Sequence, residues 1–263
     1  MARVHWFRIV ACVFGLVACS GADEPTDSAA SNEEEIVRGH SDRGADRAVV
    51  AIDIEGIGLC SGTLIRSDIV LTARHCVSHT RPEVICPSKS SQLGAARAPE
   101  DLVILVGNDT KSARRRARGR EVVVPSGNTL CNADIALIVL DHKIDDVTPI
   151  KVSTRAIGRD DRIRAVGFGL TGDDGQAGSK RVREHVRVLE TTSHEFAVAE
   201  STCQGDSGGP ALDEATNEVV GVVSRGGPTC EGPDVRNIYT RIDAFRSLIA
   251  TALARSRGAA ATR

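Results

Sequence analysis

The stretch Cys203-Gln204-Gly205-Asp206-Ser207-Gly208-Gly209-Pro210 sets one serine among three glycines. A serine hydroxyl is a poor nucleophile at neutral pH. It attacks a carbonyl only when a base takes its proton and fixed N–H donors hold the oxyanion that forms. Because Gly205, Gly208 and Gly209 carry no side chain, the backbone around Ser207 can take turn conformations that other residues resist, and a carbonyl can come close to the N–H groups. The chemistry this invites is acyl transfer, with the base supplied from elsewhere in the chain.

This octapeptide resembles, almost letter for letter, the nucleophile loop of the trypsin-like (chymotrypsin-fold) serine proteases. Three other stretches resemble the same family in the same order. Ile36-Val37-Arg38-Gly39 is similar to the family's mature amino terminus. Cys60 to Ile65 followed by Ile69 to Cys76 is similar to the strand pair that delivers the catalytic histidine, here His75. Asn132-Ala133-Asp134-Ile135-Ala136-Leu137 is similar to the strand that carries the aspartate. The resemblance covers about residues 36 to 254. It implies an all-β fold of two six-stranded antiparallel β-barrels, about 36–150 and 151–242, with a C-terminal α-helix over about 243–254. It further implies that His75 acts as base and then acid, Asp134 orients it, Ser207 attacks, and the Gly205 and Ser207 amides form the oxyanion hole. The order His75, Asp134, Ser207 belongs to this fold, whereas subtilisin-like and α/β-hydrolase enzymes arrange the same three differently. His79, His142, His185 and His194 lie in no matching context and read as structural or solvent-facing. No cofactor or metal is expected, since Asp109 and its surroundings offer too few carboxylates for a calcium loop.

The same resemblance implies a switch. The α-amino group freed at Ile36 would pair with Asp206, because a buried carboxylate is costly unless paired. Arg38 stands where a glycine is usual, and Glu35, not a basic residue, precedes the cut. A glutamate-cutting enzyme, or this one itself, is therefore expected to perform the activation.

The elements that must position these residues read as short strands. Ala48 to Glu55, Leu59 to Ile65, Asp101 to Gly107, Arg162 to Phe168, Val182 to Leu189, Glu195 to Ala199 and Val219 to Ser224 are β-like runs broken by Gly-rich turns. Residues 77 to 100 read as a long loop, and Lys111 with Arg114, Arg115, Arg116, Arg118 and Arg120 as a basic loop before a strand over Glu121 to Val124. That basic loop is expected to be solvated, the alternatives being a polyanion site or a dock for an acidic segment. Arg74 stands where the family usually has a second alanine, which should be tolerated if its side chain reaches solvent. Phe245, Leu248, Ile249 and Leu253 recur at helical spacing, and residues 256–263 read as a disordered tail.

The chain of 263 residues is 41% hydrophobic and 26% charged, enough for a packed core, and its net charge of −2 points to no nucleic-acid partner. Arg3 and Arg8 precede an apolar run from Ile9 to Val17 that is too short to span a bilayer. Leu16-Val17-Ala18-Cys19 resembles the lipobox of bacterial lipoproteins, so residues 1–19 read as a lipoprotein-like signal peptide with Cys19 as a membrane tether. Residues 20–35 carry Asp23, Glu24, Asp27, Glu33, Glu34 and Glu35 with no basic residue and read as a solvated tether or pro-segment. Six cysteines follow, an even number that suits three disulfides in an exported chain. The resemblance pairs Cys60 with Cys76 and Cys203 with Cys230, leaving Cys86 with Cys131.

Residues placed by the resemblance at the substrate pocket are Ser201, Thr202, Ser224, Arg225, Gly226 and Asn237. Ser201 stands where an aspartate would select Arg or Lys, so that preference is not expected. Asn237 replaces a common glycine and should narrow or polarise the pocket, which suggests cutting after small or medium uncharged residues. The reading is an exported, monomeric serine endopeptidase acting on peptides or proteins. The rivals are a glutamate-preferring endopeptidase, with Thr202 and Arg225 as donors but Val223 where a histidine is usual, and a non-catalytic binding module that kept the fold.

Overall fold

The computed structural model describes residues 36–81, 84–87 and 92–260, so the signal run, Cys19 and the acidic tether lie outside the described residues. In chain order the strands are β1 (His40–Ser41), β2 (Val49–Ile54), β3 (Gly58–Arg66), β4 (Ile69–Thr72), β5 (Ser78–Thr80), β6 (Leu93–Ala96), β7 (Leu102–Val106), β8 (Arg114–Val123) and β9 (Ala136–Leu140) in the first half. The second half holds β10 (Arg162–Gly167), β11 (Arg181–Thr191), β12 (Glu195–Ala199), β13 (Pro210–Asp213), β14 (Val219–Arg225) and β15 (Arg236–Arg241). One helical turn, α1 (Arg74–Val77), interrupts the first half, and α2 (Arg246–Ala260) ends the chain.

Runs such as Val49–Ile54 and Ala136–Leu140 are β-branched or aliphatic almost throughout and are buried, as strands covered on both faces must be. Pairing in the order β2, β3, β4, β9, β8, β7 closes the first six-stranded barrel. In the second, β10 pairs with β11 and β13, β14 joins β13 to β15, and β12 bridges β15 and β11 to close another ring of six. All named pairings are antiparallel, and closure leaves few free edges. The second core is small, with Phe196 stacked on Tyr239 at 5.1 Å between ring centroids. Three disulfides are present, Cys60–Cys76, Cys86–Cys131 and Cys203–Cys230.

Three local expectations are corrected. The arginine run is not a loop but most of β8, because Ala117 and Gly119 face inward while the arginines lie on the barrel's outer side. Gly119 is required there, since a Cβ would lie 2.4 Å from the Pro99 carbonyl oxygen. The outward arginines are largely matched by carboxylates: Arg115 meets Asp53 and Glu55, Arg118 meets Glu55, and Arg116 forms a two-pronged pair with Asp146. Within residues 77–100, β5 and β6 form a two-stranded sheet where only loop was expected. The tail expected from residue 256 is instead helical to Ala260; Ser256 is buried and donates to Asp68, and Arg255 pairs with Glu121. Helix α2 packs Ile249 and Ala252 against the first barrel's core, alongside β4, β8 and β9.

If Ser256 docks the helix in this way, Ser256→Ala leaves Asp68 short of a donor. It should lower the unfolding free energy by about 1–2 kcal/mol in a denaturant titration. An unchanged midpoint would mean that residue 256 belongs to a frayed tail.

Candidate active site

Strand β4 ends at Thr72, Ala73 stays extended, and the single turn α1 then projects His75 into the groove between the barrels. Asp134, in the segment leading into β9, is fully buried. Its Oδ1 accepts the His75 backbone N–H at 2.9 Å, and its Oδ2 accepts His75 Nδ1 at 2.8 Å and the Ser224 hydroxyl at 2.7 Å. Thr240 Oγ1 donates to the Asp134 carbonyl at 3.0 Å, so β15 of the second barrel grips the same residue. An ionised carboxylate only accepts, so Nδ1 must carry the proton and a neutral His75 keeps Nε2 as an acceptor. Burial alone would push the imidazole pKa down, but the charge and hydrogen bond of Asp134 outweigh it and the net shift is upward. For Asp134, burial raises the pKa, while His75 and the Ser224 and backbone donors bring it below the usual carboxylate range. Arg74 does not reach solvent. It is buried, donates through Nη2 to the Gly127 carbonyl at 2.7 Å, and leaves Nε and Nη1 without hydrogen-bond partners.

The loop around Ser207 is held by the opposite barrel. Gly208 has φ +82°, and a Cβ there would lie 2.1 Å from Thr72 Oγ1, so only glycine lets the loop lie against β4. Ser61 of β3 donates from its backbone to the Ser207 carbonyl at 2.8 Å and from its hydroxyl to the Gly205 carbonyl at 2.9 Å. The same hydroxyl accepts the Phe168 N–H at 3.0 Å. Leu170 N–H captures the Gln204 carbonyl at 2.7 Å. Since the N–H of a trans peptide points away from its C=O, this capture turns the Gly205 N–H outward. Among the described residues the N–H groups of Gly205 and Ser207 donate to no acceptor, which is what a developing oxyanion requires. Among the described residues no hydrogen bond joins Ser207 to His75, a spacing common before substrate tightens a site.

Asp206 is fully buried, like Asp134, but poorly compensated. Among the described residues its carboxylate accepts only the Gly169 N–H at 2.8 Å and the Cys203 N–H at 2.9 Å. Burial, offset only in part by those two amides, pushes its pKa up to about 7. Gly167 and Gly169 make room for it, since a Cβ on either would fall within 2.5 Å of its carboxyl group. Ile36 is also fully buried.

Beside Ser207 lies a small cavity of about 110 Å³, lined in part by Thr202, Arg225, Gly226 and Asn237. Ser201 and Ser224 are not among its lining residues; Ser201 is sealed behind Asn237, and Ser224 serves Asp134. Asn237 Oδ1 accepts the Ser201 N–H, the Ser201 hydroxyl and the Thr202 N–H at 2.7, 3.1 and 3.1 Å, while Nδ2 donates to the Thr202 carbonyl at 3.2 Å. Its Nδ2 lies 2.8 Å from where a Cβ on Gly226 would sit, so the amide crosses the cavity. Arg225 makes a two-pronged pair with Glu195 at 2.6 and 2.8 Å, and Glu195 also accepts the Asn132 N–H at 2.7 Å. A larger hollow of about 540 Å³ beside Arg47 and Asp146 holds none of these residues. A ring nitrogen of His75 lies within 4.8 Å of the sulfurs of Cys60 and Cys76, but those sulfurs form a disulfide and offer no thiolate to a metal.

Two residues that hold the site went unread in the sequence. Ser61 works through contacts more than 100 positions away and Glu195 through contacts 30 and 63 positions away, and no local pattern marks them.

Comparison with known proteins agrees with this geometry. A family model described as Trypsin matches residues 36–249. The chain is 26% identical over 248 residues to snake venom serine protease KN1 of Trimeresurus stejnegeri, covering 84% of this chain and 90% of that one. It is 28% identical over 216 residues to a trypsin of Phaedon cochleariae, covering 72% and 77%. Among solved structures it superposes on neuropsin, a serine protease expressed in the limbic system of mouse brain, with a TM-score of 0.64 at 20% identity, covering 82% and 98%.

Asp206 generates a test in the uncut Ser207→Ala chain. A folded pKa of about 7 against an ordinary 3.8 means that the folded state holds the extra proton between those values. Stability is then greatest below pH 3.8 and falls as pH rises through 7, by roughly 4 kcal/mol from this group. Asp206→Asn should flatten that fall in thermal melts from pH 4 to 8. Parallel curves for the two chains would show that the carboxyl is ionised throughout.

Proposed function

The chain belongs to the trypsin family of serine proteases and is a serine endopeptidase acting on peptide or protein substrates; from that premise, we propose that it works through His75, Asp134 and Ser207 and cuts after small or medium uncharged residues. The observation that carries the assignment is Asp134 fixing the tautomer of His75 beside a serine flanked by two unclaimed amides. His75 Nε2 takes the proton of Ser207 as its Oγ bonds to the scissile carbonyl carbon, and the carbonyl oxygen, now negative, accepts from the Gly205 and Ser207 amides. The imidazolium, stabilised by Asp134, passes its proton to the leaving amine as the C–N bond breaks. Water then repeats the sequence on the ester, returning the proton to Ser207.

The specificity rests on Asn237. Its side chain crosses the pocket and spends its oxygen on the Ser201 and Thr202 backbone, leaving space for a few heavy atoms and no charge to meet Arg or Lys. A glutamate preference would need a free cation, and Arg225 is committed to Glu195.

Asp206 supports the activation reading. A carboxyl buried with two amides and, among the described residues, no cation gains most from an ammonium group, and cleavage before Ile36 would create one. The three disulfides fit an exported chain. Residues 1–19 as an export signal, acylation at Cys19, the 20–35 tether and a monomeric state complete the reading.

Protein beginning at Ile36, incubated with a diverse peptide mixture beside its Ser207→Ala twin, should yield new termini after Ala, Ser, Thr or Val that the twin does not produce. Identical mixtures from both, in folded protein, would overturn the triad. Asp134→Asn should lower kcat/KM by about three to four orders of magnitude at neutral pH, as in the chymotrypsin template. Asn237→Gly should move the preference towards Leu and Phe, and cleavage still confined to small residues would refute the part given to Asn237.

A further inference from the structure

Glu200 immediately precedes the pocket segment Ser201-Thr202, and its side chain is only 7% exposed. A carboxylate so enclosed must be compensated, and its partners come from three separate parts of the chain. Oε2 accepts the Gly232 N–H at 2.6 Å, two residues beyond the Cys230 that lines the pocket. Oε1 makes no hydrogen bond but lies within ion-pair distance of two guanidinium groups, 3.5 Å from Arg183 Nη1 in β11 and 3.2 Å from Arg38 Nε. Arg183 Nη1 also donates to the Val37 carbonyl at 2.7 Å. One carboxylate thus joins the 36–38 segment, the second barrel and the pocket rim.

Arg38, standing where a glycine is usual in the family, adds a side chain to this junction. It adopts φ +61°, a conformation that costs an arginine about 1 kcal/mol and a glycine almost nothing. The side chain gained in exchange ends on Glu200.

We propose that Glu200 is a positioning residue of the substrate pocket, strapping the amino-terminal segment to the pocket rim through Arg38 and Arg183, so that this junction governs how tightly substrate is held. The proposal rests on the reading that cleavage frees Ile36 and that the cavity beside Ser207 receives the substrate side chain. None of its members touches the Asp134–His75 pair, so the bond-breaking step should be nearly indifferent to it. The Arg38 arm is 63% exposed and open to screening by salt, whereas the Gly232 bond is enclosed.

The test uses protein beginning at Ile36 and the variants Glu200→Gln, Arg38→Gly and Arg38→Lys. Gln keeps an acceptor for Gly232 and removes only the charge, and Gly suits φ +61°, so both should fold. Glu200→Gln should raise KM about tenfold with kcat within about twofold. Arg38→Gly should raise KM about two- to threefold and Arg38→Lys should restore it. Added NaCl should raise the parent's KM and leave that of Arg38→Gly unchanged. A second arm needs no catalysis: in the Ser207→Ala background, hydrogen exchange across residues 226–235 should quicken in Glu200→Gln and in Arg38→Gly. Unchanged KM and exchange in both variants would overturn the proposal. Failure of the parent to hydrolyse any peptide would instead overturn the functional reading, with the exchange arm still deciding the strap.

Discussion

A carboxylate removed from water must be compensated, and much of this molecule is arranged around two that are fully buried, Asp134 and Asp206. Asp134 has three donors on its oxygens, from the His75 backbone, the His75 ring and Ser224, and its pKa is held down. Asp206 has two amides and, among the described residues, no cation, and its pKa is pushed up. The same burial has opposite outcomes, and under the proposed activation the difference separates a finished part of the site from one that waits for a partner. A tuned base needs the first condition. A switch needs the second.

Compensation of Asp134 also explains why two barrels are needed. His75 and Asp134 come from the first, Ser224 and Thr240 from the second, and removal of either half would leave a buried charge or an unpaired imidazole. The reverse traffic runs through Ser61, a first-barrel residue that holds two carbonyls of the second barrel's Ser207 loop and the Phe168 amide. With Gly208 pressed against Thr72, the loop is fixed from outside its own barrel and not by its own turn chemistry.

What was legible in the sequence follows from how local each requirement is. Ser207 needs glycines beside it, and His75 and Asp134 need short strands of fixed pattern, so each leaves a contiguous trace. The strands of both barrels were readable for the same reason. Strand β8 was not, because five arginines in its ten positions look like a solvated loop until Asp53, Glu55 and Asp146 are seen to face them. Ser256 was lost because its partner Asp68 is 188 positions away. How Arg74 is accommodated was not legible, because solvent is the ready place for a charge. A long side chain next to His75 can instead lie inward and rest on one backbone carbonyl, at the cost of two unsatisfied nitrogens.

Under the proposed specificity, Asn237 is a neutral residue that decides the pocket. An aspartate at position 201 would bring a charge that has to be matched by the substrate, whereas the amide of Asn237 is matched by the protein itself. Its oxygen takes three donors from Ser201 and Thr202, and one of its N–H groups goes to the Thr202 carbonyl. A side chain so fully bonded does not swing aside for a bulky substrate without leaving several buried groups unpaired, each at about 1–3 kcal/mol. The wall is therefore rigid as well as close, and a pocket of this kind selects by exclusion. Selection of that kind is modest for each methylene, about 1–3 kcal/mol in a hydrophobic pocket, so discrimination between neighbouring small residues should be shallow while that against aromatic ones is steep.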